Sequence, residues 1–147
     1  MRYLLDTNIL LIYLRESDKS IDIDNRFDPL GKTNIPIISV VSLGEIRSLA
    51  IRNRWGKRRM QQLNELLHQL VVTDIHVEEI IQLYAEIDAF SQGLLPDKPL
   101  GMTARNMSKN DLWIAATAAA ANLCLLTTDK DFGHLQNVFI DLVEINI

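Results

Sequence analysis

Four carboxylates stand where the apolar pattern of this chain breaks: Asp6, Glu45, Asp111 and Asp129. Asp6 follows the apolar run Met1 to Leu5, and Asp129 follows Leu123-Cys124-Leu125-Leu126 across Thr127 and Thr128. Asp111 opens an alanine-rich stretch, Leu112 to Ala121, that lacks Gly and Pro and favours helix. Glu45 closes Ser42-Leu43-Gly44-Glu45, which matches the Ser-x-x-Glu capping box at a helix start. Taken singly, each acid also reads as local punctuation: an N-cap, a capping-box glutamate, a first-turn dipole partner, a turn former. Taken together they are costly, because two carboxylates about 5 Å apart repel by roughly 3 kcal/mol at an effective dielectric near 20. A divalent cation such as Mg²⁺ or Mn²⁺, which prefers oxygen ligands, relieves that cost. The chemistry such a centre suits is phosphodiester hydrolysis, in which the ion activates water and screens the leaving oxygen.

The elements that must position these acids read as strands alternating with helices. Met1–Leu5 is a first strand, with Ile9, Leu10, Ile12 and Tyr13 resuming at helical spacing. Arg15–Thr33 reads as a loop with room for a short helix, and Asn34–Val41 as a second strand. Pro36 places that strand at an edge or its start at a strand entry. Gly56 separates two helices, the second amphipathic through Trp55, Met60, Leu63, Leu66, Leu67 and Leu70. Val71, Val72 and Ile75 suggest a short strand. His76–Phe90 reads as a helix buried along Val77, Ile80, Ile81, Tyr84 and Ile87, and Ser91–Asn110 as a long loop. Leu123–Leu126 is a strand covered on both faces, Asp131-Phe132-Gly133 begins a turn, and Val138–Ile145 is a last strand. This alternation predicts an α/β domain with a central, mainly parallel sheet of four or five strands, in one unit spanning residues 1–147. In a right-handed βαβ chain, strand ends and helix starts share a rim, so the four acids are expected to meet there.

Composition narrows the class. The chain has 147 residues, with 15 Lys and Arg against 19 Asp and Glu, a net charge of −4 that gives no global pull on nucleic acid. Cys124 is the only cysteine, so no intrachain disulfide forms, and it sits in an apolar run as a small hydrophobe. His68, His76 and His134 lack zinc-ligand spacing. Asp6 and Asn8 interrupt the apolar N-terminus too early for a signal-peptide core, and nothing approaches a membrane span. A cytoplasmic protein is the expectation.

Four segments, LLDTNILLIYL from Leu4, SVVSLGEIRSLA from Ser39, NDLWIAATA from Asn110 and LLTTDKDF from Leu125, resemble the signature blocks of the PIN-domain family, most closely its VapC-type toxins. They occur in family order across nearly the whole chain. The one departure is Gly44, where relatives often carry alanine. The resemblance implies a three-layer α/β/α sandwich and an endoribonuclease using one or two Mg²⁺ or Mn²⁺ ions. Carried over, it makes Asp6 and Asp111 direct metal ligands, with Glu45 and Asp129 ligating directly or through water. Thr7, Asn8, Thr127 and Thr128 would orient water or substrate oxygens. Asp131 would supplement Asp129 or, as the preferred reading, cap the turn before Phe132. The resemblance also implies a small antitoxin partner and toxin dimerisation.

The segment Arg47–Arg59 holds six basic residues and no acid. The whole segment, with Arg47, Arg52 and Arg54 as named candidates, could track an RNA backbone, meet an acidic antitoxin tail, or simply be solvated. Arg105 and Lys109, just before Asp111, are expected to meet RNA beside the metal. Two rival classes are a non-catalytic binding module of the same shape and a phosphatase with Asp6 as covalent nucleophile. The second requires an Asp-x-Asp pair, and position 8 is Asn.

Overall fold

The computed structural model describes residues Met1–Ile147. Five strands form one all-parallel sheet: β1 (Arg2–Leu5), β2 (Ile35–Ser39), β3 (Val71–Thr73), β4 (Cys124–Thr127) and β5 (Asp141–Glu144), in the order β3-β2-β1-β4-β5. The helices are α1 (Thr7–Leu14), α2 (Asp18–Arg26), α3 (Val40–Arg52), α4 (Lys57–Leu67), α5 (Glu78–Ser91) and α6 (Lys109–Ala121), with a 3-10 helix at Lys130–Leu135.

Two apolar layers flank the sheet, and the strand alternation assigns residues to each. Leu4, Ile37, Leu125 and Leu142 pack with α5, α6 and Phe132 of the 3-10 helix. Tyr3, Leu5, Ile38, Cys124 and Leu126 face the opposite way, against Ile9, Ile23, Ile46 and Leu63 of α1 to α4. Because both faces are covered, β1 and β4 read as unbroken apolar runs. Each fully buried Leu or Ile contributes roughly 1.5–3 kcal/mol. The expected three-layer α/β/α sandwich is therefore what forms.

Pro36 lies in an interior strand, not at an edge, and the register explains how. Ile35 donates to Met1 O, so the next position along the strand faces β3, whose pairing begins only at Ile37. The missing N–H of Pro36 thus falls where no acceptor waits, a strand entry.

Residues 15–33 contain the short helix that the loop left room for, the nine-residue α2, which buries Ile23 beneath an otherwise polar sequence. Val40 and Val41 belong to α3 and not to β2: Ser39 Oγ accepts from Val41 N at 3.1 Å, so the strand passes directly into the helix. The capping box at Ser42–Glu45 therefore does not form, and Ser42 is buried inside the helix. In α5, Val77 and Ile81 are exposed, while Ile80, Ile87 and Phe90 form the buried stripe.

α6 ends on Asn122 in the left-handed region, φ 53°, ψ 48°. The turn lets Leu123 N donate to Ala118 O at 3.0 Å, and β4 starts at once. Asn tolerates this backbone better than any β-carbon residue lacking a short polar side chain. Asn122→Ala is expected to lower stability by about 1 kcal/mol in urea unfolding, and Asn122→Gly to leave it unchanged or slightly raised.

Candidate active site at the carboxyl rim of the sheet

The strand order runs outward from β1 to β3 on one side, then returns to place β4 on the other. The crevice at that reversal opens between the carboxyl ends of β1 and β4, where α/β sheets gather ligands. Asp6 leaves β1 there, and Thr127, Thr128 and Asp129 leave β4.

Asp6 is buried, 4% exposed, and both carboxylate oxygens are held. Oδ1 accepts from Thr7 N at 2.8 Å, capping α1, and Oδ2 accepts from Thr127 Oγ1 at 2.7 Å. Thr127 Oγ1 in turn accepts from Asp129 N at 2.9 Å, so one buried hydroxyl ties the two strand ends together. Thr7 Oγ1 donates to Glu45 Oε1 at 3.3 Å, reaching across to α3. Since Ser39 is the α3 cap, Glu45 sits in its second turn and is released from any capping duty. Asp111 lies in the first turn of α6, capped by Ser108, whose Oγ accepts from Asp111 N at 3.1 Å.

Carboxylate oxygens of Asp111, Asp129 and Asp131 come within 4.8 Å of one another. Asp129 also caps the 3-10 helix, its Oδ1 accepting from Asp131 N at 2.9 Å. The turn is thus capped by Asp129, while the Asp131 side chain is exposed beside the other two acids. Of the two roles expected of Asp131, the preferred one, capping the turn, falls to Asp129, and the place beside Asp129 is the one its side chain holds.

Charge links the remaining acids to this group. Burial pushes the Asp6 carboxyl above the usual carboxylate range, and Asp129 nearby adds to it, while the bonds from Thr127 and Thr7 pull it back. Glu45 is raised first by partial burial and then by Asp6. Asp111 is pushed up to about 7, by burial first and then by repulsion from Asp6, Asp129 and Glu45. No Lys or Arg nitrogen lies within 4.0 Å of any of them, the chain's single ion pair being Arg26–Asp22 on the surface. The rim is a set of oxygen donors with excess negative charge and no internal counter-ion. That donor set suits a hard divalent cation and not a soft or nitrogen-preferring one.

The other expected site residues are scattered more widely. Asn8 and Thr128 lie on the side of the rim away from Glu45, lining a groove of about 420 Å³ beside α1. Arg52 lines a separate groove of about 720 Å³ that includes Glu45, Ser48, Asn110 and Trp113. Arg47 and Arg54 are exposed, Arg54 at the junction beyond the end of α3. Lys109 is exposed in the first turn of α6, two positions before Asp111. Arg105 is anchored by its backbone N–H to Ser91 O at 2.7 Å, and its charge adds to burial, the larger cause, in disfavouring protonation of His134. His134 itself is buried, with Nε2 2.7 Å from Ser91 Oγ.

The family model of the PIN domain matches residues 3–138, from β1 to the approach to β5. This chain belongs to the PIN domain family. Solved structures similar to this PIN domain include VapBC2 from Rickettsia felis bound to a DNA fragment from their promoter, with 23% identity, 98% of each chain covered and a TM-score of 0.76. VapBC-1 from nontypeable Haemophilus influenzae matches with 25% identity, 98% coverage of each chain and a TM-score of 0.72. VapBC-5 from Mycobacterium tuberculosis, a member of the VapBC family of toxin-antitoxin systems, matches with 21% identity, 98% coverage of each and a TM-score of 0.62. No curated protein sequence matches the chain. No helix of this PIN domain is long and apolar enough to cross a membrane.

Proposed function

We propose that this PIN domain is a Mg²⁺- or Mn²⁺-dependent endoribonuclease and the toxin of a toxin-antitoxin pair, residues 1–147 acting as one nuclease unit in the cytoplasm. The observation that carries the reading is the convergence of Asp6, Glu45, Asp111 and Asp129 on one rim without a neutralising side chain. The likeness to VapBC complexes supports a protein antitoxin as partner, and dimerisation belongs to the same proposal.

When bound, the divalent ion supplies Lewis acidity and an activated water for attack on phosphorus. Asp6, Asp111 and Asp129 would hold it, with Asp131 close enough to join them. The Thr127 hydroxyl fixes the Asp6 carboxylate, leaving free lone pairs to turn outward. Asp111, whose carboxyl burial and the neighbouring acids push up to about 7, would hold the ion only as the carboxylate, so metal binding there would be favoured by rising pH. Glu45 has a raised proton affinity and is steadied by Thr7, which suits it to orient the attacking water or take a proton from it.

The test is direct. Purified protein incubated with structured RNA and Mn²⁺ is expected to release discrete fragments, to release none with EDTA, and to recover when Mn²⁺ is restored. Cutting that persists in EDTA would remove the reading.

A further inference from the structure

The part of the basic segment that follows Gly56, Lys57 to Arg59, places its positive charge on a surface the catalytic rim does not include. Arg15 is the C-cap of α1, and α1 packs on α4, so Arg15 faces the first turn of α4. There it shares a cleft of about 510 Å³ with Lys57, Arg58 and Arg59. Glu16 is the one acid in the cleft, and it forms no ion pair with any of the four cations. Three consecutive cations in a helix's first turn oppose the macrodipole. A local conflict of this kind, uncompensated inside the chain, marks a surface shaped by something outside it.

Arg15 also lines the groove that holds Asn8, Ser17, Lys19 and Thr128. The two depressions therefore meet at Arg15 and form one path. Its near end is lined by Asn8 and Thr128, chain neighbours of Thr7 and Asp129 at the rim, and it passes Lys19 and ends at Lys57 and Arg58. α1, whose eight residues span about 12 Å, separates its ends.

We propose that this path carries the sugar-phosphate backbone of the RNA substrate into the acid rim, a proposal that rests on the nuclease reading and adds to it the route of the substrate. A polyanion is the matching ligand for a row of unpaired cations on a protein whose net charge is −4. Among polyanions, nucleic acid suits both ends of the path. An acidic peptide laid along it would run into repelling carboxylates, whereas a phosphodiester is what a cation-loaded rim accepts. Contacts of this type position RNA by shape and backbone and read no sequence.

The test uses Lys57→Gln/Arg58→Gln in the full chain. Arg59 is left in place because its guanidinium covers the Trp55 ring at 5.3 Å. Lys32→Glu, which changes the net charge by the same two units at an exposed position elsewhere, is the control. Binding of a labelled RNA hairpin is followed in EDTA across a salt series, with a glutamate-rich peptide as a second probe. Cleavage in Mn²⁺ is followed on the hairpin and on an RNA too short to reach from rim to cleft. The path variant is expected to bind the hairpin about tenfold more weakly than the control. Its slope of log affinity against log salt should be smaller by about 1.4–1.8, and the short RNA should be cut at the wild-type rate. Hairpin binding equal to the control overturns the proposal while leaving the nuclease reading intact. So does a variant that loses only the peptide, which would make the occupant an acidic protein segment. If the wild-type protein neither binds nor cuts RNA, both readings fall.

Discussion

Asp6→Asn protein is expected to fold normally and to cut RNA at least about a hundred- to a thousandfold more slowly than wild type, the scale set by removing a preorganised charged group from a reacting centre. The substitution keeps the shape that the neighbours require. The amide oxygen can still accept from Thr7 N, and the amide N–H₂ can meet Thr127 Oγ1 once that hydroxyl turns its hydrogen away. What disappears is the negative charge at the most buried point of the rim. The decisive measurement pairs single-turnover cleavage in Mn²⁺ with a melting curve. Intact melting with wild-type cleavage would mean that Asp6 only caps α1.

Asp111→Asn is expected to separate function from stability with opposite signs. Its folded carboxyl sits at about 7, against about 3.9 in an unfolded chain. Between those values the folded state binds more protons than the unfolded one, so ion-free stability falls as pH rises from about 4 to about 7. The full shift corresponds to about 4 kcal/mol, which residual solvent contact and shared repulsion reduce. In EDTA near pH 8 the Asn variant should therefore be more stable than wild type by roughly 1–3 kcal/mol, with the gap closing near pH 4. Mn²⁺ should raise the wild-type melting temperature and leave the variant almost unmoved, because only the intact cluster binds the ion well. Cleavage should be lost in the same variant. Thermal melts with and without Mn²⁺ at both pH values check this; a variant less stable than wild type in EDTA at pH 8 would show that Asp111 is not under repulsion.

The parts of this molecule that were legible in its sequence are those where one strong pattern acts alone. The unbroken apolar runs at Tyr3–Leu5 and Leu123–Leu126 could only be strands covered on both faces, and their ends fixed where Asp6 and Asp129 emerge. The alanine run after Asp111 had no competing reading. Legibility failed where two patterns overlapped. Val40 and Val41 continue an Ile-rich strand in sequence, yet Ser39 ends it, because a serine hydroxyl caps a helix as readily as it sits at the end of a strand. The helix over Asp18–Arg26 was legible only as room for a short helix within a loop, because it buries little beyond Ile23 and carries charge on its other faces. The pairing of Asp131 with Asp111 and Asp129 depended on the pitch of a 3-10 turn, which residue spacing alone does not fix. Likewise, the basic segment divided between two surfaces because the chain turns at Gly56, a break that composition marks without giving its direction.

The bond between Thr127 and Asp6 joins residues 121 positions apart, across the two strands at the middle of the sheet. During synthesis the first strand is made early and must wait for its inner neighbour until residues 124–127 leave the ribosome. Until then Asp6 Oδ2 lacks its Thr127 partner and Asp129 has not been made. A chain stopped before residue 127 therefore carries the first acid of the rim without the partners that complete it.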